Sequence, residues 1–476
     1  MLKDPGKILI LGAGPTGLGA AYRLRELGFE DFRVLEAERG PGGLASSYRD
    51  DMGFTWDLGG HVQFSHYAYY DDILDLALAG SWLWHERESW ISFKGRFIPY
   101  PFQHHIHWLD PQDRERVLRG LERAAAADFG REPPANFAEW IRWTFGEGMG
   151  ELFLCPYNRK VWGYPLETMG VNWIGERVAV PDIERIKRSI RENRDDVSWG
   201  PNSRFRFPQR GGTGRIWQNV AQRVGREHLL FENKAVQVDL EARTLRSEDG
   251  RRQAWDTLIT TIPLDVFSRI SGPLSFHARR AGLSMVYSSV HILGFGLKGG
   301  KPESLENKCW IYFPESDSPY YRVTVFSNYS PYNVPEGDQY WSLMAEVCES
   351  PHKPVDTTGL RDWALKAMRI DQLIESEAEI VSFWHKRLGH GYPTPFLGRD
   401  EALRSMLPEL ERRRVYSRGR FGGWKYEVSN QDHSFMQGVE LVNYLLKGEP
   451  ETTFPHPTLA NSGVFLRQDD TEPKME

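Results

Sequence analysis

The sequence predicts an α/β chain in which a dinucleotide-binding βαβ unit is interleaved with a helical insertion and an antiparallel sheet. Three observations predict it. Residues 7–11 read as a buried strand that runs through "GAGPTG" into a helix and a second strand, "FRVLEAE". Residues 104–194 carry helical spacing, and β-branched and aromatic residues alternate or cluster through 286–347. At 476 residues the chain exceeds what one hydrophobic core supports, so two or three domains are expected.

In the first unit, Gly12 makes the tight turn, Gly14 lets the backbone approach a pyrophosphate and Gly17 lets helix and strand pack closely. Pro15 and Thr16 lie where the loop opens the helix, whose N-terminus attracts phosphate and which ends at Gly28. Glu36 closes the second strand, where an acid accepts hydrogen bonds from a ribose diol. A second glycine turn, "RGPGGLASSY", follows at once. NAD-only folds have no need of it, whereas FAD threads past it toward its flavin ring, which adds Gly43, Leu44, Ala45 and Ser46 to the cofactor set. Without a ligand, the same pattern is a glycine-rich turn of a plain α/β protein.

Further on, "DPQDRERVLRGLERAAAADF" opens on an Asp-Pro helix start and "NFAEWIRWTFG" closes on glycine. The charge-dense "ERIKRSIRENRDDVSWGPNSRF" is either a solvated helix and loop or a mobile flap beside a site. "VHILGFGL", "CWIYFP", "YYRVTVFSNYS" and "YWSLMAEV" supply the sheet, and "SRGRFGGWKYEVSNQDHSFMQGVELVNYLLKG" is a glycine-rich turn entering an amphipathic helix. The expected division is 1–85, 201–270 and 401–468 for the dinucleotide fold, 86–103 and 271–400 for the sheet, 104–200 for the helical part and 469–476 for a disordered tail.

Composition narrows the function. Hydrophobic residues at 40% and charged residues at 26% are globular values, and no apolar run approaches the ~20 residues of a membrane span. The start "MLKDPGKILILGAG" lacks the basic flank and cleavage site of a secretory signal, and a cytoplasmic protein is expected. A net charge of −6 lacks the basic surplus of nucleic-acid binders. Cys155, Cys309 and Cys348 form no CxxC pair, and the spacing of His104, His105 and His107 fits no common metal site, so no metal is expected. The aromatic content of 13%, with 17 Trp, 19 Tyr and 25 Phe, suits flat ligands such as isoalloxazine or uracil, although packing explains most of it.

Past the nucleotide loops, "GGHVQFSHY" sets a bare glycine pair against His61. On these residues alone the histidine is a loop cap. The two glycine turns, however, resemble the FAD-binding half of the flavoprotein group that contains amine oxidases and phytoene desaturases. Together with "GGHVQFSHYAYYDD", "YPFQ", "PYNRKVWGYP", "GERVAVP", "SWGPNSRFRFPQRGGTG", "CWIYFPE", "YYRVTVFSNYSPYN", "HGYPTP" and "GRFGGWKYEVSNQDHSFMQGVE", they resemble the UDP-galactopyranose mutases, particularly the longer fungal and protozoan type. The likeness keeps its order over essentially the whole chain.

That resemblance implies a Rossmann-like FAD domain, an inserted helical domain and a six-stranded antiparallel sheet domain, with the active site in the cleft between them. It implies interconversion of UDP-galactopyranose and UDP-galactofuranose without net oxidation: nitrogen 5 of reduced FAD attacks the anomeric carbon and expels UDP. NADPH is the implied reductant, sharing the substrate cleft. Arg177 and Arg322 match two arginines that stabilise the leaving diphosphate, and Gly59, Gly60 and His61 match a loop at the flavin face, where glycines avoid the ring. Tyr100, Phe102, Gln103, Asn158 and Trp162 match the uridine pocket, Tyr312 and Tyr329 match donors to the diphosphate, and Tyr392 and Tyr426 flank the cleft. Asn202 matches a flap asparagine and Arg87 an arginine near the flavin; Val236, Arg420, Asn430, Gln431 and Ser434 complete the FAD set. The helical domain offers surface for a homo-oligomer.

The chain departs from the fungal pattern at Ser198, His104 and His105, where those members carry asparagine, and between Asn333 and Tyr340, which is shorter. These departures leave the sugar open. A mutase of another nucleotide pyranose, an FAD-dependent oxidase or desaturase, and a binding module without turnover stand as alternatives.

Overall fold

The computed structural model describes residues 3–126, 132–195, 202–335 and 339–466, so Ser198 and the 469–476 tail lie outside the described residues. At its centre is a five-stranded sheet in the order Val415–Ser417, Thr257–Thr260, Ile8–Leu11, Phe32–Leu35, Leu229–Leu230, parallel throughout. Every residue of Ile8–Leu11 is buried, as in a sheet covered on both faces. Ile8 and Ile10 pack on one side against the helices Pro15–Glu26, Gly214–Val224 and Gln431–Lys447, while Leu9 and Leu11 pack on the other against Leu264–Ile270 and Arg399–Glu411.

The Gln431–Lys447 helix is not amphipathic as expected. Residues Asp432–Val439 are buried on every side, because the helix is pressed backbone to backbone onto Pro15–Glu26. A Cβ on Gly19 would stand 2.3 Å from the Phe435 carbonyl oxygen, and one on Gly438 would stand 2.1 Å from that of Thr16.

The second sheet has seven strands rather than six and is not wholly antiparallel. Its order is Glu379–Pro393, Tyr287–Lys298, Tyr340–Glu349, Arg322–Val325, Trp310–Tyr312, Ser89–Phe93, Arg96–Pro99. The hairpin of the last two strands arrives from far upstream and lies along Trp310–Tyr312 in parallel, with Trp310 opposite Ser89. Alternation assigns the faces: Val323, Val325, Leu343, Ala345 and Val347 join one core, and Met344 joins another with Phe54 and Trp56. Arg322, Thr324 and Glu346 therefore share the Met344 face.

The helical part contains Pro111–Ala126, Phe137–Met149, a π-turn at Gly150–Leu154, Cys155–Trp162 and Ile183–Glu192. The helix expected to close at Gly146 resumes to Met149. Gly146 takes φ 71° because its α-carbon lies on the neighbouring helix, where a Cβ would meet the Gly120 carbonyl oxygen at 2.3 Å. Among the described residues, no helix is long and apolar enough to cross a membrane.

Candidate active site

The glycine turns meet at the C-terminal end of the Ile8–Leu11 strand. Gly12, at φ 100°, leaves no room for a side chain, since a Cβ would lie 2.3 Å from Thr261 Oγ1. A Cβ on Gly17 would lie 1.9 Å from the Gly12 carbonyl oxygen, which is why helix and strand can touch there. Gly14 is open, its nearest would-be neighbours being Gly42 O and Gly43 Cα at 3.9 Å. The second turn is bonded to the first through Gly42 N to Ala13 O (2.8 Å) and rides over Gly14. Ala45 is buried, Leu44 is half-buried, and Ser46 donates to the Pro41 carbonyl at 3.3 Å.

Glu36 is buried, and burial raises its pKa against the pull of two backbone donors, Ala13 N at 2.7 Å and Glu38 N at 2.9 Å. A carboxylate has about four acceptor sites, so a ribose diol still finds room there. An open glycine backbone at a helix start, a second turn stacked on it and this acid together fit the pyrophosphate and ribose of a dinucleotide. Thr16 is buried in the first helical turn behind Pro15. Val236 stands apart, half-buried at a bulge of the separate four-stranded sheet.

At the other end, Asn430 precedes the Gln431–Lys447 helix and accepts from Arg177 Nη1 at 2.8 Å, while Arg177 Nη2 donates to the Glu427 carbonyl at 3.0 Å. Arg177 lies over the Tyr426 ring at 5.2 Å, with its Nε buried and without a partner. Arg420 donates to Ser429 Oγ at 2.9 Å and the Gly391 carbonyl at 3.1 Å, and it covers Tyr392 and Tyr426. Burial lowers its pKa, and the charge of Arg177 adds to that effect. Gln431 accepts from Trp217 Nε1 at 2.9 Å, and Ser434 is buried one turn on.

The histidine loop lies against the seven-stranded sheet. Gly59 has φ 140°, and the Gly60 N–H donates to Glu346 Oε1 at 3.1 Å. A Cβ on Gly60 would stand 2.7 Å from Thr324 Oγ1, so the bare backbone is required by the protein itself. His61 is half-buried, with its Nδ1 atom buried and unpartnered. Burial, only partly offset by Glu346 and reinforced by Arg322 and Arg420, pulls its pKa down to about 4, so the ring is neutral at physiological pH.

Arg322 and Glu346 face each other across the Arg322–Val325 and Tyr340–Glu349 strands, with Nε and Nη2 each 2.7 Å from Oε1. Burial alone would lower the pKa of Arg322, but Glu346 and nearby tyrosines outweigh it and leave it raised. Tyr312 stands 5.5 Å from Tyr100 and 5.4 Å from Tyr157, ring to ring, and burial raises all three pKa values. Burial also pushes the Tyr392 hydroxyl up to about 12. Each hydroxyl is therefore protonated and able to donate. The Tyr329 hydroxyl is buried without a partner among Phe205, Phe207 and Phe326.

Phe102 stacks on Phe153 at 4.4 Å, which stacks on Tyr157 at 5.4 Å; Trp162 meets Tyr426 edge-on at 4.9 Å and Tyr392 at 5.8 Å. The amides of Gln103 and Asn158 donate to the Ala179 and Leu154 carbonyls at 2.9 and 2.8 Å, which fixes them and leaves their oxygens to accept. Arg87 lies over Tyr100 at 5.1 Å and donates to Asn202 Oδ1 at 2.7 Å, tying the flap asparagine to the pocket. Ring, guanidinium and hydrogen-bond contacts thus link Phe102, Tyr312, Tyr100, Arg87 and Asn202 in one group and Trp162, Tyr392, Tyr426 and Arg177 in another, with Arg322 opposite Tyr312 across neighbouring strands. Gln103 and Asn158 are tied to backbone carbonyls, Tyr329 sits among phenylalanines and Val236 stands apart.

Sequence reasoning missed Glu346, Tyr321, Tyr157 and Trp173. Glu346 left a trace: in "YWSLMAEVCES" it is an acid at a position of one face of a strand otherwise built to be buried. The histidines behave structurally, His105 bonding the Pro101 carbonyl at 2.9 Å and His107 bonding Asp195 at 2.9 Å. Elsewhere, His66, Asp432 and His433 bring ligand-type atoms within 4.8 Å of one another, and His66 Nδ1 already bonds Asp432 at 2.7 Å.

Comparison with known proteins adds the following. Residues 15–344 match the profile of the flavin-containing amine oxidoreductases. A crystal structure of reduced UDP-galactopyranose mutase is 49% identical, covering 96% of this chain and 97% of that one, with a TM-score of 0.93. A putative protoporphyrinogen oxidase from Exiguobacterium sp. 255-15 shares the fold at 16% identity, 93% and 99% coverage and a TM-score of 0.70. A zeta-carotene-forming phytoene desaturase from Myxococcus xanthus is 51% identical over 53 residues, which is 11% of this chain and 10% of the desaturase.

Proposed function

Because this chain belongs to the flavin-containing amine oxidoreductase family and, within it, to the UDP-galactopyranose mutases, we propose that it interconverts UDP-galactopyranose and UDP-galactofuranose with bound, reduced FAD. The observation that carries the reading is the convergence of two half-buried guanidiniums, Arg177 and Arg322, on a wall of protonated tyrosines beside the His61 loop. An oxidase gains nothing from two fixed cations facing hydroxyl donors, whereas a departing diphosphate gains charge neutralisation and hydrogen bonds together.

When bound, reduced FAD supplies the nitrogen nucleophile for the anomeric carbon. The chain does the rest. Gly14 and the helix behind it hold the pyrophosphate, Glu36 holds a ribose diol, and Asn430, Gln431, Ser434 and Arg420 line the ring end. Phe102, Tyr100 and Trp162 form the aromatic enclosure for uracil, with Gln103 and Asn158 presenting carbonyl oxygens to its edge. Arg177, Arg322, Tyr312 and Tyr329 take the diphosphate, and removal of either arginine raises the barrier by ~2–4 kcal/mol. Asn202 and Arg87 close the sugar side, and Tyr392 and Tyr426 exclude water. Neutral His61 offers a ring nitrogen without adding a positive charge. The GxGxxG spacing recurs at Gly294–Gly299, but there it lies in and just past the Tyr287–Lys298 strand and opens no helix, so it is no dinucleotide turn, which supports NADPH entering the substrate cleft; UDP then competes with NADPH-driven flavin reduction.

The test is anaerobic. Dithionite-reduced protein is given UDP-galactofuranose and the nucleotide sugars are separated by chromatography, with conversion expected only in the reduced state. Absence of conversion despite UDP binding would transfer the reading to another nucleotide pyranose, and net flavin reduction by an organic substrate would transfer it to the oxidases.

A further inference from the structure

One carboxylate ties together parts of the site that lie in separate segments. Glu346, its side chain 3% exposed, accepts from the Gly60 N–H at 3.1 Å, from Arg322 Nε and Nη2 at 2.7 Å each, and from the Tyr321 hydroxyl at 2.7 Å. Cross-strand register fixes the pair, since Arg322 and Glu346 are directly opposite and the Tyr321 N–H donates to the Glu346 carbonyl at 3.0 Å. A Cβ on Gly60 would stand 3.4 Å from Arg322 Cζ, so the histidine loop rests on the guanidinium that Glu346 holds.

We propose that Glu346 is a positioning residue that sets the electrostatic field of the site. It holds Arg322 and the Gly59–His61 loop in one arrangement and cancels the charge of that arginine until a diphosphate claims it. The inference rests on the mutase reading for the ligand of Arg322 and for the flavin beside the loop. The hydrogen-bond partners of Arg177 are instead an amide oxygen and a backbone carbonyl, neither of which carries a counter-charge. Glu346 and a diphosphate therefore compete for one guanidinium, and Glu346 also opposes the negative charge that reduction adds to a nearby flavin.

The experiment measures UDP affinity by calorimetry and the midpoint potential of the bound flavin, in wild type, Glu346→Gln and Tyr321→Phe holoenzyme. Glu346→Gln keeps the size and removes the charge. It is expected to bind UDP about ten- to a hundredfold more tightly, the scale of a unit charge roughly 12 to 6 Å away in an effective dielectric of ~20, and to shift the two-electron potential upward by about 30 mV for each tenfold. With the arginine less exactly held, kcat and KM fall together. Tyr321→Phe removes a donor from the carboxylate and leaves more negative charge facing Arg322, so both readouts move the opposite way. This variant decides the matter if Glu346→Gln fails to fold.

A purely structural role for Glu346 predicts weaker UDP binding and an unmoved potential, and that outcome overturns the inference. So do shifts of the same sign in both variants. Failure of the wild type to bind UDP would instead count against the mutase reading itself.

Discussion

Gly60→Ala is a substitution whose cost can be worked from distances. Gly60 does not have a positive φ, so alanine brings no backbone strain and recovers ~0.4–1 kcal/mol from the unfolded chain. The new methyl, however, would stand 2.7 Å from Thr324 Oγ1 and 3.4 Å from Arg322 Cζ. Non-bonded contact requires roughly 3.5 Å, so the loop has to withdraw by nearly an ångström. The Gly60 N–H···Glu346 bond, already 3.1 Å, does not survive that withdrawal. Loss of a bond to a charged acceptor costs ~1.5–3 kcal/mol and overpacking adds ~1–3 kcal/mol, which after the unfolded-chain gain leaves a net destabilisation of ~1.5–5.5 kcal/mol. Urea denaturation followed by tryptophan emission measures it, and Thr324→Ala, which removes the obstructing hydroxyl, should restore at least half in the double variant. A single variant within ~0.5 kcal/mol of wild type, or a double variant no better than the single, would refute the claim that the protein rather than its ligand demands this glycine.

Gly17→Ala sets a methyl 1.9 Å from the Gly12 carbonyl oxygen, and the purified protein should carry little flavin by visible absorbance. Asn430→Ala takes the Oδ1 partner from Arg177, and turnover of UDP-galactofuranose should fall about ten- to a hundredfold, the scale of a hydrogen bond to a charged group worth ~1.5–3 kcal/mol. His61 titrates at about 4 in the fold, and at ~6.5 when unfolded, so the unfolded chain binds the extra proton first. Its contribution is therefore intact above pH ~6.5 and lost as the pH falls toward 4; in His61→Gln, urea midpoints across that window should lose a slope worth about 3 kcal/mol.

Local chemistry was readable and opposing surfaces were not. The roles of Gly12 and Gly17 follow from spacing because the partner, the next strand or the turn itself, is near in sequence. Gly60 was expected to be bare for the sake of a flavin ring, but Thr324, far along the chain, already requires it. Gly294 and Gly296 in "HILGFGL" read as ordinary strand residues; the cause of both is the rings of Trp56 and Phe54, 2.6 Å from where their Cβ atoms would be. Residues 86–103 are assigned to the sheet from sequence, but the parallel pairing of Ser89–Phe93 with Trp310–Tyr312 is not legible there, since it joins segments with no local signal of each other. The amphipathic expectation for Gln431–Lys447 failed because polar Asp432, His433 and Gln437 are buried with partners, which hydrophobic periodicity cannot register.

The two arginines matched from sequence look equivalent there and are not equivalent in the fold. Arg322 is held by a carboxylate, so its charge is offset before substrate arrives and its position is set by the sheet. Arg177 is held by the Asn430 amide oxygen and the Glu427 carbonyl, with Tyr426 beneath it, and keeps its full charge. Dipoles orient a cation without neutralising it, whereas a carboxylate does both. On the mutase reading proposed above, Arg177 is thus suited to draw a diphosphate into the cleft, and Arg322 to respond once the diphosphate is near enough to displace Glu346. Loss of Arg177 should then act mainly on KM and on the salt dependence of binding, and loss of Arg322 mainly on kcat, because only the latter exchanges partners along the reaction. Equal effects of both substitutions on KM and kcat would show that the differing partners have no functional consequence.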